Sequence, residues 1–445
     1  VDEFKKRYDK ARDLAAQLDD GAYDAALALA NDYPDNAHAI CLLGELHLKA
    51  EQWGVARVLY ERADSLLQKS ATILNNLGMC WEGTGQNEKA RTFYLKAHKI
   101  HPEKGGYMAN IANTLLNESK WKEGLEWTTK AVALDPENAS AQSNHGIANL
   151  ALGNWEAGWK GFEYQIGRKF RKAIQYQGEP RWQGEKGKTV VVYGEQGLGD
   201  EIMYASCLED ASKDARLIVE CDPRLEGLFR RSFPYADVYG TRRIEPVEWP
   251  NKYKIDASCG IAHLPKFYRN SKEAFPRKPY LVADPDRRAM FRGWLDAMGK
   301  RPKIGITWTG GGKHYLASPR KVGVQAFWPM FDAIDADWIS LAHKPEDLSG
   351  TPVRSNKWIE KNQDYDDAAA LVAELDMVIG IHGSAHHLAG ALGKPTLTFV
   401  PHRHIWLYGQ ETFPWYDLRL FRQRQNEPWI ETIRRAVPCL SHFST

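Results

Sequence analysis

Two glycine-rich stretches hold the side chains best able to do chemistry. Gly194–Glu201 reads GEQGLGDE and gathers three carboxylates, Glu195, Asp200 and Glu201, around a turn. Ile379–Pro395 reads IGIHGSAHHLAGALGKP and puts three histidines within six residues, at His382, His386 and His387. A carboxylate where a strand meets a helix can cap the helix or face a cleft as a general base; the turn alone leaves both open. The histidines could ligate a metal, act as bases or line an anion site. Metal ligation fits poorly. His386 and His387 are neighbours on a helix and point about 100° apart, His382 precedes that helix, and no nearby Cys, Asp or Glu completes a set. The turn at His382–Gly383–Ser384 sits between a strand pattern and a helix pattern, so N–H groups of a helix start, Ala385 included, point out of it. Such a start favours phosphate. On this reading the imidazoles line a diphosphate site, with His387 alternatively a helix residue satisfied internally.

A third stretch, TGGGKH (Thr309–His314), offers the backbone N–H groups of Gly310 and Gly311 and the ammonium of Lys313. It could hold a pyrophosphate or be a plain flexible loop. It is not a P-loop, because GxxxxGK[ST] is absent.

These turns need strands and helices to position them. TVVVYGE (residues 189–195) is an apolar, β-branched run suited to a buried parallel strand. RLIVECD (216–222), ADVYGT (236–241) and YKIDAS (253–258) continue a strand–helix alternation. A second set follows a helix pattern at 284–299: KIGITWTG (303–310), DWISLAH (337–343), LDMVIGIHG (375–383) and PTLTFV (395–400). Two sets of βα units predict two doubly wound domains with a cleft between them, ligands binding at the carboxyl ends of the strands.

The first third of the chain is different. Gly44, Gly78, Ala112 and Gly146 are each 34 residues apart, as are Ala56, Ala90, Gly124 and Gly158. Tyr60, Tyr94, Thr128 and Phe162 form another row, and Pro34, Pro102 and Pro136 fall on the same grid. This is the tetratricopeptide (TPR) pattern. Repeats start near Ala37, Ala71, Gly105 and Ala139, after a shorter helical pair over residues 4–33. Such arrays stack into a superhelix with a concave surface, which either binds a polypeptide or packs on the rest of the chain. The predicted organisation is a TPR α-solenoid over 1–166, a basic linker over 167–188, and Rossmann-like domains over 189–283 and 284–445, the last helix packing back on the first of them.

Composition limits the function classes. With 43% hydrophobic and 26% charged residues, the chain belongs with soluble globular proteins, and no apolar run reaches the length of a membrane span. The net charge of +2 is uneven: 18 Lys+Arg against 23 Asp+Glu over 1–166, 7 against 2 over 167–188, and 34 against 32 beyond. No extended basic footprint exists, so nucleic acid is not an expected partner. Six scattered cysteines without a CxxC pair, and an N-terminus without a signal-peptide core, predict reduced thiols and a cytoplasmic location.

Several motifs together resemble a known family. WEAGWKGFEY (155–164), RWQG (181–184), VVVYGEQGLGDEIMYASCL (190–208), RSFPYADV (231–238), IGITWTGG (304–311), LDMVIGIHGSAHHLAGALGKP (375–395) and PWYDLRLFRQ (414–423) look like bacterial TPR-repeat glycosyltransferases. Their catalytic half is similar to the heptosyltransferase group (glycosyltransferase family 9) and, more distantly, to O-linked N-acetylglucosamine transferases. The resemblance covers nearly the whole chain. It implies a GT-B fold, a nucleotide-sugar donor on the second Rossmann-like domain, and an acceptor glycan or polypeptide on the first. It further implies inverting, metal-independent chemistry with no cofactor. Asp200 matches the proposed base, Glu201 adjoins it, and His387 matches the HLAG histidine. The acceptor side would use Glu195, Gln196, Gly197, Leu198, Gly199 and His263. The donor side would use Thr309, Gly310, Gly311, Lys313, Arg320, His382, Gly383, Ser384, Ala385, His386 and His387. Relatives carry Asp-Thr where this chain has His382–Gly383, and Arg where it has Thr309, which implies an altered donor. The alternative is a TPR scaffold whose glycosyltransferase-like half only binds nucleotide.

Overall fold

The computed structural model describes residues 2–167, 171–242, 246–309, 322–342, 347–362 and 364–443. The chain divides into two compact units, Val1–Asn149 and Leu150–Thr445.

The first unit is a TPR-type helical solenoid. A leading pair, Asp2–Gln17 and Ala22–Asp32, is followed by Ala37–Lys49 with Trp53–Leu66, Ala71–Gly83 with Asn87–Ile100, and Gly105–Leu116 with Trp121–Leu134. Helix starts are set by short polar side chains: Asn36 accepts from the His38 N–H at 2.9 Å, and Ser70 from Ile73 at 3.4 Å. The small-residue rows explain themselves in three dimensions. A Cβ on Gly44 would meet the Tyr60 ring at 3.1 Å, and one on Gly78 would meet Tyr94 at 2.5 Å. Both rings are completely buried. Each tyrosine therefore fills the space that a glycine on the paired helix leaves open.

The fourth repeat is split. Its helix Ala139–Leu152 begins in the first unit, but Trp155–Phe162 belongs to the second. The expected boundary at residue 166 is thus corrected to about residue 150. The reason is side-chain size: Trp155, Trp159 and Phe162 join the core of the α/β region, with Trp155 on Phe275 at 4.7 Å and Trp159 edge-on to Trp406 and Trp415.

Two all-parallel sheets organise the second unit. The first holds β1 (Thr189–Tyr193), β2 (Arg216–Glu220), β3 (Ala236–Tyr239) and β4 (Ala257–Gly260) in the order β3-β2-β1-β4. The second holds β5 (Lys303–Thr307), β6 (Asp337–Ser340), β7 (Val353–Arg354), β8 (Met377–Ile381), β9 (Thr396–Val400) and β10 (Arg419–Arg422), in the order β10-β9-β8-β5-β6-β7. Strand order reverses between β1 and β4 and again between β5 and β8, where open α/β sheets present their ligand crevices.

Three further expectations are corrected. The first sheet is not doubly wound: helices cover the Val190, Val192, Leu217 and Val219 face. On its other face Val191 and Ile218 pack under Tyr176, Val247, Trp249, Tyr253 and Ile255 from irregular chain. The basic segment is not a free linker either. Arg171 and Trp182 are buried, Ser258 Oγ donates to the Ile174 carbonyl, and Arg181 bridges alongside Ser258 of β4. The apolar Ile174, Tyr176 and Trp182 among its charges make it a strap. Finally, the last helix, Trp429–Ala436, packs on the second sheet domain, burying Ile433 and Ala436 with Phe327 and Met330.

Candidate functional site

The three carboxylates of the first turn have different fates. Glu195 leaves the end of β1 and forms a buried bidentate ion pair with Arg171, both N···O distances 3.1 Å and both side chains at most 2% exposed. Arg171 also donates to the Phe162 carbonyl at 2.9 Å. Glu201 is wholly buried, pairs with Arg242 and accepts the Asp222 N–H at 2.9 Å. A Cβ on Gly194 would lie 2.4 Å from the Glu201 carboxyl carbon, so glycine there makes room for it. Arg242 also donates to the Gln196 carbonyl. These two carboxylates brace the turn from behind. Asp200 is half-buried, accepts the Gly197 N–H at 3.0 Å and so caps the helix Leu198–Tyr204.

The second turn ends β8. Gly380 has φ +150°, and a Cβ there would meet the Thr307 carbonyl oxygen of β5 at 1.9 Å, so only glycine permits the close pairing. The helix Ser384–Ala391 follows, with the His386 and His387 N–H groups donating to the Gly383 carbonyl. The N–H groups of Ser384 and Ala385 stand in its first turn, where a helix offers no internal partner. Tyr365 donates to Ser384 Oγ at 2.6 Å.

The imidazoles do not line this opening, which corrects the expectation of a histidine-walled phosphate site. His382, His386 and His387 are 2%, 0% and 6% exposed. Burial pushes His386 down to about 3 and His387 down to about 4, so both rings are neutral. His382 lies against the Tyr408 ring at 4.4 Å. His387 Nδ1 is hydrogen-bonded to the Tyr416 hydroxyl, and Tyr408 Oη is 3.4 Å from Nε2. The apolar neighbours of the turn outweigh the polarity of the rings. His263 is likewise a core residue: 2% exposed, 3.1 Å from the Trp182 carbonyl, and held down to about 3 by burial. Trp406 packs on Trp159 and Phe162.

The two turns meet. A Cβ on Gly199 would come within 2.9 Å of His387 Cδ2 and 3.2 Å of Ser384 Cα. The helix that carries Asp200 therefore touches the helix start that follows β8. Around this contact, Arg231 clasps Asp366 at 2.7 and 2.9 Å, and Tyr280 donates to the Ile202 carbonyl at 2.7 Å. Arg224, paired with Asp222 at 2.8 Å, stands close enough to influence Tyr365. Thr309 is half-buried at the end of the β5 segment. Gly310, Gly311, Lys313 and Arg320 lie outside the described residues. Among the described residues, no group of three His, Cys, Asp or Glu could hold a metal ion, and no helix is long and apolar enough to cross a membrane.

Sequence reasoning missed Tyr408, Tyr416, Tyr365, Arg171 and Arg242. Tyr416 had a signal, since PWYD stands among the quoted motifs; Arg171 and Arg242 had none beyond their charge.

No protein-family model matches the chain. Protein FlbA of Caulobacter vibrioides is 27% identical over 500 residues, covering 98% of this chain and 83% of FlbA. Among solved structures, a tetratricopeptide repeat protein from Parabacteroides merdae is 20% identical with a TM-score of 0.32, covering 37% of this chain and 66% of its own. YrrB, a TPR protein with an unusual peptide-binding site, is 18% identical with a TM-score of 0.30, covering 36% and 82%. The chain thus spans about two thirds of the Parabacteroides protein and more of the others.

Proposed function

We propose that this chain is an inverting, metal-independent glycosyltransferase of GT-B type that moves a sugar from a nucleotide-sugar donor to an acceptor hydroxyl, with the TPR array recruiting the acceptor. The observation that carries this reading is the contact of Gly199 with Ser384 and His387. It sets a half-buried carboxylate, Asp200, beside the open N–H groups of a helix start, both at the carboxyl ends of parallel strands. A transfer of this kind needs those two things. Asp200 takes the proton as the acceptor hydroxyl attacks the anomeric carbon from the face opposite the nucleotide. The Gly383–Ser384–Ala385 turn and its helix dipole stabilise the departing phosphate. Lys313 and Arg320 are the cations proposed to add to it, in place of the buried histidines.

A polypeptide acceptor suits the solenoid. Asn76, Asn110 and Asn144 repeat at the 34-residue period on successive first helices. Part of each carboxamide is used within the array, Asn76 accepting from Asn75, Asn110 donating to Asn75 and Asn144 donating to the Ala109 carbonyl; the remaining donor and acceptor capacity is what a peptide backbone asks for.

The test has two arms. Full-length protein melted against UDP, GDP, ADP, CMP and dTDP forms should shift with one nucleotide class; at about 100 times the dissociation constant a ligand adds roughly 2.7 kcal/mol. Turnover of that donor should persist in excess EDTA. Turnover lost to EDTA and restored by magnesium or manganese would sink the metal-free mechanism. The burial of all three histidines favours a second reading, a TPR scaffold with an inactive half. Slow hydrolysis of any nucleotide sugar by the wild type would exclude it.

A further inference from the structure

The stretch PWYDLRLFRQ (414–423) ends near an arginine that has no acid beside it. Arg422 closes β10, where the register pairs it with Val400 of β9. Phe399, one residue earlier, pairs with Ile381 of β8 and accepts the His382 N–H at 3.2 Å. Arg422 therefore stands level with the start of the His382–Ser384 turn, two strand spacings or roughly 10 Å across the sheet. Alternation along the strand sets its face. Leu420 joins the cluster that holds Val400, Leu388 and Ala389, whereas Phe421 joins the opposite cluster, with Arg435 over its ring. Arg422 thus shares the face on which the helix Ser384–Ala391 lies.

Its guanidinium is fixed but not neutralised. Nη2 donates to the Tyr408 carbonyl at 2.8 Å and to the Gln410 carbonyl. Tyr408 in turn lies against His382 at 4.4 Å and has its hydroxyl 3.4 Å from His387 Nε2, so the arginine grips a wall of the turn. Among the described residues the Nε and Nη1 groups have no acceptor, neither is sealed from solvent, and no carboxylate is within ion-pair reach. The buried arginines of this unit differ: Arg171 holds Glu195, Arg242 holds Glu201 and Arg269 holds Asp210. Arg422 is half-buried, and burial pushes it below the ordinary arginine range, with Glu411 opposing. A cation drawn out of water without a counter-charge is costly unless an anion offsets it.

We propose that Arg422 is an anion-binding residue of the ligand crevice, taking a charged oxygen of the substrate, phosphate or carboxylate, across the sheet from the helix start that holds the leaving phosphate. This deepens the transferase reading and rests on it. A nucleotide sugar is long enough to meet both places at once. The guanidinium needs no rearrangement to do so, because the two carbonyls already hold it in place.

The first test needs no variant. Phenylglyoxal labels accessible arginines of the full-length protein, and mass spectrometry reads the adduct at each. A nucleotide sugar that shifts the melting temperature should suppress the Arg422 adduct and leave that of Arg434, exposed on the helix Trp429–Ala436, unchanged. Unaltered labelling of Arg422 with that ligand bound overturns the proposal. The second test compares affinities for the nucleotides of the melting panel, bare and joined to sugars without and with a carboxylate, UDP-glucose and UDP-glucuronate being one such pair. Arg422→Gln should weaken binding about tenfold to a hundredfold, as for the loss of a charge-assisted hydrogen bond. Arg422→Lys should recover a good part of it. Equal loss for every phosphate-bearing ligand assigns the arginine to phosphate; loss confined to the acidic sugars assigns it to their carboxylate. Wild-type affinity throughout in Arg422→Gln, or an equal loss in Arg422→Lys, would mean that the arginine only braces the loop at Tyr408 and Gln410. Should the wild type bind none of these nucleotides, the transferase reading fails, and inorganic pyrophosphate replaces them in the labelling. Protection of Arg422 then keeps the anion site, and labelling unchanged by pyrophosphate overturns it as well.

Discussion

Gly390 and Tyr416 fit as a pair: the ring carbon Cδ2 lies 2.1 Å from where a Cβ at 390 would stand. Gly293, on the helix Pro285–Asp296, is the opposite case, with nothing within 4 Å of its would-be Cβ. Alanine gains up to about 1 kcal/mol over glycine in a helix, whereas forcing extra volume into a packed site costs about 1–3 kcal/mol. Gly390→Ala should therefore destabilise the α/β unit and Gly293→Ala should stabilise it slightly. Denaturant midpoints of the two variants check the opposite signs.

The Arg171–Glu195 pair predicts a second asymmetry. Both groups are buried and bonded to each other, so removing one strands the other. Arg171→Met should cost about 3–5 kcal/mol. Adding Glu195→Gln to it should recover a good part, since no charge is then left buried. Urea unfolding of the single and double variants measures this; equal loss in both would mean the ion pair does not brace the turn.

Stability should fall on the acid side for a stated reason. His386 and His387 titrate at about 3 and about 4 when folded, below the ordinary value of 6.5. The unfolded rings take protons first as pH drops, so their contribution is complete above 6.5 and is lost progressively toward 4 and 3. Between pH 7 and pH 5 the loss is on the order of 2 kcal/mol per ring. Urea midpoints at the two pH values should show the drop, and His386→Leu should show a smaller one. A midpoint flat with pH would mean these rings are not buried neutral.

Much of this architecture was legible in the sequence because it repeats or alternates. The 34-residue grid placed the helices of the solenoid closely, since Gly44 with Tyr60 and Gly78 with Tyr94 are packing pairs that only a fixed period can supply. Among the described residues, seven of the ten strands announced themselves as apolar runs; β4 lies at Ala257–Gly260, at the end of the expected YKIDAS run, because Tyr253 and Ile255 pack over the sheet and not within it, β7 is two residues long, and β10 has an arginine at each end. What the sequence hid depends on partners far along the chain. Glu195, Asp200 and Glu201 look equivalent in GEQGLGDE, and only Arg171 and Arg242 show which two of them brace the turn. The histidines misled for the same reason: three polar rings beside a helix start suggest an anion site until all three prove buried, with Tyr408 against His382 and Tyr408 and Tyr416 on His387.

The measurement that bears most directly on the central claim is the split between chemistry and binding in Asp200→Asn. With the donor identified, sugar transfer should be abolished while nucleotide affinity stays within a few-fold of wild type. An Asn variant that transfers sugar at the wild-type rate would show that Asp200 is not the base and that the contact between the two turns serves packing alone.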